Sequence, residues 1–155
     1  TWLSIPNLIR MGGSIRDELI AKLPQRKDEF TANYAAFKAS LERRHAEFAQ
    51  RLSPHRKTTF YIYHPALGHF ARDYELVQES VEIDGKSPGP KQLMELIKHA
   101  RDDGVKVIFV QPQFDDKPAR ILATRIGGRV VRINPLAADP VSVMAAVVDT
   151  ICAVK

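Results

Sequence analysis

From residue 58 onward, short β-branched or aromatic runs alternate with stretches of helical periodicity, and few architectures accept that alternation. Thr58 to Tyr63, Leu76 to Ser80, Val105 to Val110 and Arg129 to Ile133 read as strands. Pro65 to Asp73, Pro90 to Asp103, Lys117 to Ile126 and Pro140 to Val154 read as helices between and after them. Strands joined through helices run parallel in one sheet, and a near-continuous apolar run such as Val107-Ile108-Phe109-Val110 belongs to a strand covered on both faces. The expected fold class is therefore α/β, a four-stranded parallel sheet flanked by helices.

The first third of the chain has a different texture. Leu8, Ile15, Leu19 and Leu23 trace a helical pattern over residues 7 to 23, which Gly12-Gly13 should weaken and Pro24 should end. From Arg26 to Leu52 the residues Phe30, Tyr34, Phe37, Leu41, His45, Phe48 and Leu52 recur at steps of three or four, the stripe of a long amphipathic helix. His45 falls on that stripe and reads as a packed side chain with one hydrogen bond. The expected organisation is a single domain of 155 residues, with 1–57 a helical segment containing the long helix and 58–155 an α/β lobe. Trp2-Leu3-Ser4-Ile5-Pro6 reads as mid-protein sequence, so the chain is expected to be a piece of a longer one. Cys152 has no second cysteine to pair with, and Val148 and Ile151 beside it on a helix mark it as a buried structural thiol.

Charge narrows the functional classes. Of 23 Lys and Arg, residues 1–57 hold 11 and leave 12, while of 18 Asp and Glu they hold 6 and leave 12, so the whole net charge of +5 lies in the first third. There it is interspersed with acids, as in Arg26-Lys27-Asp28-Glu29, the pattern of a solvated helix face. Without a basic stripe interleaved with aromatics, no nucleic-acid partner is expected. No apolar run approaches the roughly 20 residues that span a bilayer.

In open parallel sheets ligands bind beyond the carboxyl ends of the strands. The residues to inspect are thus His64, those near Glu79, Gln111 to Gln113, and Asn134. His64 follows Phe60-Tyr61-Ile62-Tyr63 and precedes Pro65, which places an imidazole on a stiff turn. It can bind a metal, act as a base, or simply cap the next helix, and spacing leaves these open. His69, five residues on, would be rotated away from His64 if Pro65 to Asp73 were helical, and reads as a supporting or surface residue. Asn134 stands before Pro135, where its carbonyl can accept a hydrogen bond or weakly coordinate a cation, although Asn-Pro is commonly a turn. Gly127-Gly128 follows a helix rather than opening one, so no dinucleotide fingerprint is present, nor is a P-loop. Ser53, Ser80, Ser87 and Ser142 lack a nucleophile-elbow context.

The segment Tyr63-His64-Pro65-Ala66-Leu67-Gly68-His69-Phe70-Ala71-Arg72-Asp73-Tyr74 resembles the YHPAFGYFARDY-type block of the solute-binding proteins of zinc and manganese ABC transporters, the metal-binding lipoprotein and adhesin family. The resemblance continues, in the family's order, through Val81 to Pro88, Val105 to Lys117 and Gly127 to Ala137. Thr1-Trp2-Leu3-Ser4 is similar to the stretch that follows a metal-binding histidine in these proteins. A complete member has two α/β lobes joined by a long rigid helix, with the metal between them, and this chain resembles the carboxy-terminal half.

That resemblance implies a non-enzymatic role: capture of a divalent ion in the periplasm or at the cell surface and delivery to a membrane permease. It implies His64 as the ligand from this lobe and further histidines from the other. Asn134 stands where many members carry an aspartate ligand. An imidazole-rich set with one carboxylate fewer favours Zn²⁺ over Mn²⁺. A surface made to meet another lobe is also expected to favour self-association. The rival expectation is a small flavodoxin-like or hydrolase-like α/β enzyme with His64 as general base, which requires a second catalytic group converging on that ring.

Overall fold

The computed structural model describes residues 2–154, so Thr1, the first residue of the family-like opening block, lies outside the described residues. Helix α1 (Ile5–Lys22) is capped by Ser4 and leads through a short turn at Pro24–Arg26 into α2 (Lys27–Leu52). The α/β unit follows as β1 (Thr59–Ile62), α3 (Gly68–Asp73), β2 (Val77–Ser80), α4 (Pro90–Asp102), β3 (Val107–Val110), α5 (Lys117–Ile126), β4 (Arg129–Arg132) and α6 (Pro140–Cys152). All strand pairs are parallel and the sheet order is β2-β1-β3-β4. No helix among the described residues is long and apolar enough to cross a membrane.

Alternation along the central strands divides the core. Phe60 and Ile62 of β1, with Val107 and Phe109 of β3, pack against Phe48 and Leu52 of α2 and Met144, Val147 and Val148 of α6. Tyr61, Ile108 and Val110 face the other way, onto Ile97 and Ala100 of α4 and Leu122 and Ala123 of α5. β3 is buried along its whole length, as a strand covered on both faces must be, while the outer strands β2 and β4 keep exposed positions.

Three local expectations are corrected. Gly12-Gly13 does not weaken α1, which runs through both residues. They instead let the two long helices approach: a Cβ on Gly12 would stand 2.7 Å from a ring carbon of Phe37. The third helix begins at Gly68 rather than at Pro65. Pro65 to Leu67 form a tight turn instead, closed by Ala66 N–H on the His64 carbonyl at 2.7 Å and by Leu67 N–H on Gln78 Oε1 at 2.7 Å. Cys152 is only half-buried, its thiol directed to the Arg51 carbonyl. His45 is packed as expected, its Nδ1 sharing a hydrogen bond with the Tyr74 hydroxyl at 2.9 Å.

Candidate metal centre

The chain leaves β1 for β2 on one side and later returns to β3 on the other, so the sheet's direction of winding reverses between β1 and β3. Connections diverge there and leave a crevice at the carboxyl ends of those two strands. His64 follows β1 and Gln111 follows β3, and the two meet in that crevice. The Gln111 amide is 2 % exposed and works like an extra rung of the ladder, accepting from His64 N–H at 3.3 Å and donating to the His64 carbonyl at 2.6 Å. The backbone of His64 is thereby fixed from the neighbouring strand end.

Its ring is fixed from the opposite side. The register pairs Ile62 with Ser80, so His64 and Glu82, each two residues further on, stand level. The ladder continues past the strands, with Val81 N–H on the Ile62 carbonyl and Glu82 N–H on the Tyr63 carbonyl at 3.1 Å. His64 Nδ1 lies 2.7 Å from Glu82 Oε1, and the Glu82 side chain is only 7 % exposed against 49 % for the imidazole. A carboxylate has only acceptors to offer, so Nδ1 carries the proton and donates, leaving the Nε2 lone pair available. Phe114 stacks on the ring at 5.2 Å and 20°. The loop bearing Phe114 is anchored in turn by Asp116, which accepts from Arg120 and Arg132 at 2.7 and 2.8 Å. Those guanidiniums, Arg120 first, hold its carboxyl well below the usual carboxylate range.

The crevice opens into a cavity of about 720 Å³ walled by Trp2, His64, His69, Gln111, Phe114 and Leu136, among others. Trp2 is held across its rim by an indole N–H donated to the Pro135 carbonyl at 2.7 Å. The structure thus brings His64, Gln111 and His69 together, and adds Glu82 and Phe114, which the sequence did not single out. Asn134 sits at the neighbouring strand end, exposed, with its side-chain oxygen accepting from Leu136 N–H at 3.1 Å and from Gln113 at 3.4 Å, the arrangement of a turn. Among the described residues, no group of three or more His, Cys, Asp or Glu side chains is gathered so as to hold a metal ion.

The general-base reading gains a carboxylate in Glu82, but no serine, threonine or cysteine lines the cavity among the described residues. Ser80 donates its hydroxyl to the Glu82 carbonyl, and Ser87 is paired with the Tyr63 hydroxyl at 2.7 Å. The arrangement presents one oriented nitrogen donor to a cavity, which is how a protein prepares a metal ligand.

Comparison with known proteins identifies the family. The family described as zinc-uptake complex component A, periplasmic (ZnuA), matches residues 1–153. The zinc-binding protein AdcA of Streptococcus pyogenes serotype M3 is 30% identical over 137 residues, covering 87% of this chain but 27% of that protein. A crystal structure of ZnuA superposes with a TM-score of 0.93 at 38% identity, covering 97% of this chain and 59% of the other. A zinc-bound ZnuA deletion mutant does so at 0.89 and 38%, covering 97% and 58%. The chain spans about a quarter of the streptococcal relative and under two thirds of the solved proteins. With its α/β sheet and the family match running almost from end to end, the chain belongs to the ZnuA family of periplasmic zinc-uptake components.

Proposed function

We propose that this chain is the carboxy-terminal part of a zinc-capturing protein that serves an ABC uptake transporter, and that His64 binds Zn²⁺ through Nε2. The observation that carries the reading is the 2.7 Å contact between His64 Nδ1 and the buried Glu82 carboxylate. It holds the tautomer, aims Nε2 at the cavity and makes the imidazole a better donor. Relatives named for zinc binding, and a zinc-bound structure of the same fold, support zinc as the cargo.

The remaining donors come from a second lobe outside these residues. Zinc takes about three or four protein ligands, and one oriented imidazole does not make a tight site. Asn134 offers a neutral oxygen already engaged by Leu136 N–H, so it is a weak donor at most and leaves the set dominated by nitrogen. That composition favours Zn²⁺ over Mn²⁺. Trp2, Phe114 and Leu136 expose apolar surface around the cavity, at 44%, 37% and 65%, and this rim meets the second lobe. When the lobe is missing the same rim favours self-association, which sedimentation at increasing concentration measures. The loaded protein docks on a membrane permease in the periplasm or at the cell surface and catalyses no reaction.

Calorimetric zinc titration of this chain, of a protein carrying both lobes, and of His64→Ala in each tests the reading. Tight binding should appear only with both lobes and vanish with His64. Submicromolar binding by the 155-residue chain alone would overturn the split site, and binding indifferent to His64 in both proteins would overturn the ligand assignment.

A further inference from the structure

A second imidazole faces the same cavity. In the block that resembles the family's YHPAFGYFARDY pattern, the tyrosine after the glycine is replaced here by His69. A helix starting at Pro65 would rotate it away from His64. The helix starts three residues later, and the tight turn of Pro65 to Leu67, pinned by Gln78, brings the first turn of α3 back so that His69 and His64 wall one cavity.

The other polar groups there are committed elsewhere. The Gln111 amide is used on the backbone of His64, Glu82 is used on its Nδ1, and Gln113 donates to Asn134. Asn134 Oδ1 is used on Leu136 N–H. His69 is exposed, and its ring makes no hydrogen bond or ion pair with any described residue. His45, by contrast, is tied to Tyr74. Among the described residues, the side-chain nitrogen donors left free to a cation in the cavity are therefore His64 Nε2 and the ring of His69.

We infer that His69 is a second zinc-binding imidazole of this lobe, acting with His64 as a two-nitrogen half-site for a borderline-soft divalent cation. The inference rests on the reading of His64 as a ligand. Two imidazoles fall short of the donor number of a closed zinc site, so the pair binds weakly by itself and gains affinity when the other lobe adds its donors. It also supplies a nitrogen to a lobe that has asparagine rather than a carboxylate at position 134, which moves selectivity further from hard ions.

The test is a Zn²⁺ titration of the 155-residue chain followed by NMR of the imidazole nitrogens, in the parent and in His69→Ala and His64→Ala. His64 and His69 should shift together with one half-saturation point while His45, His55 and His99 stay still. His69→Ala should weaken binding on the order of tenfold or more, since even the outer partners of ligands cost ten- to a hundredfold. His69 is exposed, and an unchanged backbone amide spectrum in the variant shows that the fold is kept. If His64 shifts while His69 does not, and His69→Ala leaves the affinity unchanged, the inference is overturned and the His64 reading stands. If His64 itself fails to shift at saturating zinc, both fall.

Discussion

The two ends of the sheet each carry a cavity with a histidine in its wall. At the carboxyl ends of the strands it encloses about 720 Å³ and contains His64, and at the amino ends about 420 Å³ and contains His55. His64 is held at its backbone by Gln111, at Nδ1 by Glu82 and on its face by Phe114. His55 contributes its carbonyl to a turn with Thr58 N–H, and its ring has no bonded partner among the described residues. Its cavity also carries Lys57 and Lys106, whose charges oppose a cation, with Asp103 the one acidic side chain among the described lining residues. A histidine alone in a hollow, with no backed imidazole sharing its cavity, is thus no site by itself. What differs is the backing, which comes from both sides of His64: Gln111 beyond β3, across the point where the winding reverses, and Glu82 beyond β2 in the paired register.

Breaking the upper arrangement should have graded effects. His64→Ala in a protein with both lobes should remove measurable zinc binding by calorimetry. Glu82→Ala should weaken zinc roughly ten- to a hundredfold, with partial recovery in Glu82→Gln, whose amide oxygen still accepts from Nδ1–H. Gln111→Ala strips partners from the His64 N–H and carbonyl and should cost about 1–3 kcal/mol in urea unfolding.

A change beneath the crevice should act on stability and leave zinc affinity alone. Burial first, then the charges of Glu79 and Asp103, push the Tyr61 hydroxyl up to about 12. The unfolded value is about 10, so the folded state holds this proton more tightly. Its contribution is complete below about pH 10 and is lost as the pH rises through 12. Tyr61→Phe should therefore flatten the alkaline limb of a thermal-stability profile, most clearly between those values. Smallest of all, His55→Ala should leave zinc affinity unchanged; a loss there comparable to that of His64→Ala would erase the contrast between the two cavities.

Much of the scaffold is legible in the residues. β-branched runs and helical stripes place the strands and helices to within one to three residues, because each element's face is dictated by local periodicity. The sheet order is not local, and neither is the β1–β2 register, which alone brings Glu82 beside His64. Counting two residues past the last paired residues, Ile62 and Ser80, finds the pair once the register is known. The start of α3 is not local for a related reason. Pro65 is compatible with a helical first turn, but a side chain from β2, Gln78, captures Leu67 N–H and delays the helix to Gly68. The role of Gly12-Gly13 was hidden likewise, since it depends on aromatic rings of α2 that periodicity does not dock.

The most direct measurement is the anomalous diffraction signal at the zinc edge from crystals of the zinc-loaded protein with both lobes. The peak should lie about 2.0–2.1 Å from His64 Nε2, with Nδ1 still on Glu82. A zinc peak away from His64, or one on Nδ1 with Glu82 turned aside, would contradict the proposal that the buried carboxylate prepares this imidazole for the metal.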